Sequence, residues 1–340
     1  MNLPYEKAEA REWAKENMCG CANVVTPTFS SDLSQLNDSA TRHDIRLEIE
    51  LGFWGALMVS EVALTLSEYE RFVSVGADEA QGRLHLIHHA SFNTIADNLE
   101  AAKGSERAGA TLALLGYPPN FYPKDEDEIY KYTKAFCDGT NLAVIIFPVP
   151  LWGFERIHPS AGFSPGLLRR LLDGCPNIVA IKAEGGMPSI GGFIDVYNRF
   201  GDEVIVIEPI EGNGLPMATI LDLQFMGTSN YEYYGSAIPS IFKLIREGKM
   251  NEAMDEYWKL APARQATTQA MAVLAGSNFL HRMLWKYQGW LQGFNGGPLR
   301  APTMRLVDRQ MKPLRQGLLS SGFDIEAIDD REFFVGRNPE

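Results

Sequence analysis

Eight short runs rich in aliphatic and β-branched residues, each followed by a longer amphipathic stretch, fill roughly the first 250 residues of this chain. In order they are CANVVTPTF (21–29), GALMVSE (55–61), RLHLIHHA (83–90), ATLALLGYP (110–118), LAVIIFPVP (142–150), NIVAIKAEG (177–185), VIVIEPIE (204–211) and a weak one at FMGTSN (225–230). Between them, segments such as SATRHDIRLEIELG and SPGLLRRLLDG carry apolar residues at i, i+3, i+4 spacing and end in glycine, where a helix C-cap is expected. Repeated strand-then-helix units predict an α/β fold, and eight of them in about 250 residues predict a (β/α)8 TIM barrel. The first strand turn also lacks the G-x-G-x-x-G fingerprint of a doubly wound dinucleotide-binding sheet. Three parts follow: an N-terminal helical extension (1–20, with a helix near 5–17), the barrel (21–249), and a C-terminal helical appendage (250–340). The last includes MNEAMDEYWKLAPARQATTQAMAVLA, SNFLHRMLWKYQGWLQG and TMRLVDRQMKPLRQGLLSSG. No low-complexity linker precedes it, so it is expected to pack on the barrel.

A formal charge of −12 argues against a nucleic-acid or anionic-membrane partner, either of which needs a basic face. No apolar run approaches the ~18 residues of a membrane span, and MNLPYEKAEAREWAKENM lacks the apolar core of a secretory signal. Cys19, Cys21, Cys137 and Cys175 are too few and scattered for a disulfide framework, and Cys19 with Cys21 has no matching second pair for zinc. The expectation is a cytoplasmic, metabolic-type protein that uses no metal, nucleotide or other cofactor and acts on a small molecule.

Catalytic groups in a barrel sit at the C-terminal ends of the strands, where the βα loops form the mouth. Lys182 ends the sixth run and shares a face with Ile178 and Ala180 by the period of two. On the inner face its charged form is disfavoured by burial, which leaves a neutral amine able to attack a carbonyl. On the outer face it would be an ordinary strand-end lysine, extended to water or paired with Glu184.

The segment IVAIKAEGG (178–186) resembles the lysine segment of the dihydrodipicolinate synthase and N-acetylneuraminate lyase family. VVTPTF (24–29) is similar to that family's first strand, and GALMV (55–59) followed by LTLSEYE (64–70) to its second strand and next helix. IIFPVP (145–150) stands where the family has a Tyr-Asn-x-Pro turn, and PLRAPTMRL (298–306) fits in order, so the likeness spans residues 20–324. The resemblance implies a class I aldolase or lyase, in which the Lys182 amine forms an imine with a 2-oxo acid, usually pyruvate. Hydratase-aldolases belong to the same family, and a hydratase-aldolase or dehydratase version of this chemistry stays open for this chain. It also implies a homotetramer or homodimer.

The departures bear on the site. The family's Thr-Thr-Gly-Glu or Ser-Thr-Gly-Glu loop, which holds the oxo-acid carboxylate, is replaced by the shorter VSEVALTL, leaving Ser60 with Glu61 beside it. An ionised Glu61 would repel a carboxylate there. Phe147 replaces the proton-relaying tyrosine and has no ionisable group. Trp152 stands near the place of the synthases' arginine, with Arg156 four residues later. By position, the proton carriers are Tyr117, ending the fourth run, and Glu208, on the face of Val204 and Val206 in the seventh; His88 and His89 end the third. Glu211 falls on the opposite parity from Glu208. Ser60, Glu61, His89, Phe147, Trp152 and Asn230, which closes the eighth run, form the expected substrate-binding set. Phe121, Tyr122, Trp152 and Phe154 either plug the rim or line a pocket for an apolar substrate portion.

Two other readings compete. One is a metal-dependent barrel hydrolase using His85, His88, His89, Glu61 or Glu208, weakened because His85 and His88 alternate across a regular strand. The other is a barrel that has lost catalysis and serves as a binding protein, motivated by Phe147 and the missing carboxylate loop.

Overall fold

The computed structural model describes residues 3–340 apart from 185–188, 273–280 and 326. Eight strands form one parallel sheet: β1 Gly20–Val25, β2 Gly55–Met58, β3 His85–Ala90, β4 Leu112–Leu115, β5 Ala143–Ile146, β6 Ile178–Lys182, β7 Ile205–Ile207 and β8 Phe225–Met226. The order runs from β7 through β1 to β8, with β8 hydrogen-bonded to β1 and β7 lying beside β8, so the barrel is nearly closed. The strands are shorter than the apolar runs that announce them. Pro27, Pro118, Pro148 and Pro209 follow β1, β4, β5 and β7 within three residues, and a proline cannot donate to a ladder. Pairing therefore stops early, and the ends of the runs become the loops of the mouth.

Register fixes which side of each strand faces inward. Val24 pairs with Leu57, His89 with Leu114, Leu114 with Ile145, Ile145 with Ala180 and Lys182 with Ile207, and partners across a ladder project to the same side. The helices between strands begin at side-chain caps that accept backbone N–H groups. Asn37 caps Asp38–Glu50, Thr94 caps Ile95–Ala108, Asp125 caps Glu126–Gly139, Ser164 caps Pro165–Gly174, and a full capping box of Thr65 with Glu68 starts Leu66–Ala80.

The helix Ala10–Asn17 closes the N-terminal end of the barrel. Arg11 donates to the Ile178 carbonyl at 2.9 Å and pairs with Glu203 at 2.8 Å, and the Tyr5 hydroxyl accepts from Ala143 N–H at 2.7 Å. His85 also lies at this end, stacked on Trp54 at 4.1 Å and far from the mouth of its own strand.

After Ala237–Arg246 every regular element among the described residues is helical. The long segment expected from residue 250 onward is two helices, Met250–Lys259 and Ala261–Ala272, parted at Leu260. Pro262 explains the break, because a proline fits the first turn of a helix and not its interior. Ala261–Ala272 packs against Asp308–Ser320 at Gly317, where a Cβ would come within 2.7 Å of Ala266 Cβ. Helix Arg282–Leu291 lies over the mouth. Lys286 donates from it to the Pro27 carbonyl at 2.9 Å and to Thr28 Oγ1 at 2.7 Å, and Arg282 pairs with Glu61. The beginning of that expected helix, residues 277–280, lies outside the described residues.

Candidate active site

Lys182 ends β6 with 6% of its surface exposed, and its Nζ stands 3.8 Å from the centroid of the Phe147 ring. Among the described residues none makes a hydrogen bond to that nitrogen. Burial lowers the amine to about 8, further lowered by Arg282 and opposed by Glu184, Glu61 and Glu208. Roughly a tenth of the chains then carry a neutral amine at pH 7. The amine projects into a cavity of about 400 Å³ whose wall includes Val24, Leu57, Leu114 and Phe147 from the inner faces of the strands.

Glu184 lies two residues beyond Lys182 and lines the same cavity. Burial raises its carboxyl above the usual range, with Lys182 opposing the shift. Along an extended chain the two positions are about 7 Å apart, within reach of one reacting group between them.

Two proton carriers expected from the sequence do not line the lysine cavity. Glu208 follows the last residue of β7, next to helix Glu211–Ala218, and its charge still reaches Lys182. There it accepts from Ile210 N–H at 3.0 Å, beside Gly214, and burial raises it to about 7. The Tyr117 hydroxyl is 2.6 Å from Thr133 Oγ1, on helix Glu126–Gly139 behind the sheet. His88 likewise faces outward, its Nδ1 2.9 Å from Ser105 Oγ on helix Ile95–Ala108.

Around Glu61 the mouth forms a cradle of donors. Arg282 pairs with one carboxylate oxygen; the other accepts from Ser91 Oγ at 3.1 Å and lies 3.8 Å from His89 Nε2. The Ser60 N–H donates to His89 Nδ1 at 3.3 Å, which assigns the ring proton to Nε2, on the side of Glu61. Burial would raise the Glu61 carboxyl, but Arg282, His89 and Ser91 together bring it down to about 2, while burial lowers His89 to about 4. Glu61 is thus a carboxylate beside a neutral imidazole at neutral pH. The Ser60 hydroxyl is engaged with the His89 carbonyl at 2.9 Å.

The sequence model of the dihydrodipicolinate synthetase family matches residues 21–302, which is most of the chain. The chain belongs to that family. The family comprises class I aldolases, lyases and dehydratases. A 4-hydroxy-tetrahydrodipicolinate synthase of Persephonella marina is 26% identical over 202 residues, covering 58% of this chain and 65% of that protein. A probable 5-dehydro-4-deoxyglucarate dehydratase of a Bradyrhizobium species is 30% identical over 171 residues, 50% of this chain and 49% of that one. The chain therefore matches between about half and two thirds of the length of these curated relatives. In fold it is similar to dihydrodipicolinate synthase from Aquifex aeolicus, with a TM-score of 0.75 at 17% identity over 91% of this chain and 99% of the other. N-acetylneuraminate lyase from Fusobacterium nucleatum gives 0.71 at 18% identity over 89% and 98%.

Within this member of the dihydrodipicolinate synthetase family, Phe147 and Trp152 both wall the lysine cavity, and Trp152 Nε1 donates to the Phe147 carbonyl at 2.7 Å, fixing the indole. Asn230 is there too, its amide 2.9 Å from Glu232 Oε1. A second cavity of about 660 Å³ adjoins the first, and Glu61, Leu151, Trp152 and Arg282 border both. Its wall is mainly apolar, with Phe92, Tyr117, Phe121 and Phe154, whereas Tyr122 is exposed under Arg156. Among the described residues no three His, Cys, Asp or Glu side chains are grouped to hold a metal, and no helix is long and apolar enough to cross a membrane.

Glu184, Arg282 and Thr228 are the site residues that sequence reasoning missed. Glu184 carried a signal, since it shares the parity of Lys182. Thr228, whose buried Oγ1 has no partner, lay inside the weak eighth run. Arg282 carried none, because only the packing of a distant helix brings it to the mouth.

Proposed function

We propose that this protein is a Schiff-base-forming lyase of the aldolase type, with Lys182 as the nucleophile and Glu184 as the group that moves the proton. The Lys182 lone pair attacks the substrate carbonyl carbon; a C–N bond forms, and the carbonyl π pair goes to oxygen, which takes a proton from Glu184. Loss of water leaves a protonated imine. The imine draws in the electrons of the neighbouring C–C bond while the β-hydroxyl proton passes to the Glu184 carboxylate, so a carbonyl fragment departs and an enamine remains. Protonation of the enamine at carbon and hydrolysis with one water return the amine. Burial raises the Glu184 carboxyl above its usual range while Lys182 opposes the shift, and its place beside the amine in the same cavity is what fits it to pass the proton. The remainder of the substrate has room in the 660 Å³ cavity, within the usual size of small-molecule sites.

The observation that carries this reading is the Lys182 amine itself, buried at a barrel mouth and without a hydrogen bond from any described residue. The test is reduction with borohydride in the presence of aldehydes, ketones and 2-oxo acids, followed by mass measurement and peptide mapping. One adduct per chain on Lys182 is expected with at least one carbonyl class. Mapping to another lysine rules the mechanism out.

A further inference from the structure

We infer that Glu61 is a built-in occupant of the anion cradle at the mouth, so that the carbonyl compound captured by Lys182 carries no carboxylate next to its carbonyl. This rests on the imine reading above and names its substrate class.

Donors from three separate elements converge on one point: the Arg282 guanidinium from the helix over the mouth, the His89 Nε2–H from β3, and the Ser91 hydroxyl from the loop after it. Such a set suits a carboxylate, and the protein supplies one itself. A substrate carboxylate would have to displace a tethered partner at high effective concentration, or lie beside it with like charge. Lys182 and Arg282 are the only cations among the described residues walling the cavity, and Lys182 is consumed by the imine. Arg282 is already paired. The polar atoms left over suit a neutral oxygen: Arg282 Nε and Thr228 Oγ1 are buried at this wall without partners, one a donor and the other a hydroxyl. A hydroxyl or carbonyl oxygen of a neutral aldehyde or ketone would satisfy them.

Pyruvate and pyruvamide are near-isosteric and differ in charge, which makes them the matched probes. Borohydride trapping rates at Lys182 are measured for both with the full-length chain, each normalised to the reactivity of a simple amine in solution. The wild-type protein is expected to trap pyruvamide at least about tenfold faster. Glu61→Ala, which empties the cradle and frees Arg282, is expected to shift the ratio toward pyruvate by about a hundredfold. Glu61→Gln keeps the side-chain shape without the charge and should shift it in the same direction by less. Equal or faster trapping of pyruvate by the wild-type protein overturns the inference, whether or not the variants fold. So does a Glu61→Ala protein that still traps pyruvamide but gains nothing for pyruvate. Absence of any Lys182 adduct, with both probes and in every protein, instead removes the imine reading and this inference with it.

Discussion

Lys182 ends β6, and Lys286 stands in the second turn of the helix that covers the mouth; each is buried, with 6% and 7% of its surface exposed. Burial lowers Lys182 to about 8 and Lys286 to about 7, the latter partly restored by Asp44. Ranked by acidity alone, Lys286 would be the better nucleophile. Its surroundings say otherwise, because its Nζ is held by the Pro27 carbonyl and Thr28 Oγ1, and it borders neither cavity of the site. Lys182 has an aromatic ring on one side and open volume on the other. A lowered pKa supplies a neutral amine, but reaction also requires a free lone pair and space for the carbon it attacks.

The strongest way to break this contrast is to remove each lysine in turn. Lys182→Ala should abolish both borohydride trapping and turnover, and Lys182→Arg should be equally inactive, because a guanidinium keeps its proton. Lys286→Met should retain one adduct per chain. Its stability should fall instead, by roughly 3 kcal/mol for two lost charge-assisted hydrogen bonds, seen as a lowered Tm. Lys182→Met should be no less stable than the wild-type protein, since it removes an amine whose burial is uncompensated by hydrogen bonds. Trapping that survives in Lys182→Ala and vanishes in Lys286→Met would reverse the assignment.

The next effect separates nucleophile from proton carrier. Glu184→Gln should lower kcat by about 10²-fold, the usual scale for a general acid–base group, while leaving an adduct that maps to Lys182. The trapping rate in the wild-type protein should climb with pH and level off above about 8, as the lysine loses its proton. In Lys182 the folded value is depressed, so the neutral form gains on the alkaline side, and a rate that falls between pH 7 and 8 contradicts the assignment.

The legible and illegible parts of this molecule divide along the same line as the two lysines. The strands, and the place of Lys182 at the end of the sixth, could be read because periodicity and βα rhythm are local properties of the chain. Parity states which residues of one strand share a face but not which face is inward; that needs pairing with neighbours. Glu208 shows the consequence, since the pairing of Lys182 with Ile207 turns the face of Val206 outward, and Glu208 lies past the strand end, outside the lysine cavity. The repulsion expected from Glu61 was a sound local argument that lacked its partner, Arg282, 221 residues away in sequence. Four of the shortened strands have the simplest cause, a proline two or three residues beyond the last paired residue in what looked like a continuous run.

The smallest expected effects test that division between inner and outer faces. Tyr117→Phe removes a hydroxyl that sits 2.6 Å from Thr133 Oγ1, which itself donates to the Ile129 carbonyl at 2.8 Å, while the ring stacked on Phe121 is retained. The loss is one buried hydrogen bond behind the sheet, about 1 kcal/mol of stability. Glu208→Gln keeps an oxygen able to accept from Ile210 N–H and changes a carboxyl that lines neither cavity. Both variants should turn over within about threefold of the wild-type protein, against the ~10²-fold loss expected for Glu184→Gln. Steady-state kcat on whichever carbonyl compound traps fastest gives the comparison, with Tm as the check that Tyr117→Phe acts on stability. A hundredfold loss in Tyr117→Phe would mean that the hydroxyl leaves Thr133 for the substrate during turnover. The same loss in Glu208→Gln would mean that the strand end rotates its carboxyl inward. Either result would move the proton relay from the strand of the nucleophile to a neighbouring element and withdraw the role given to Glu184.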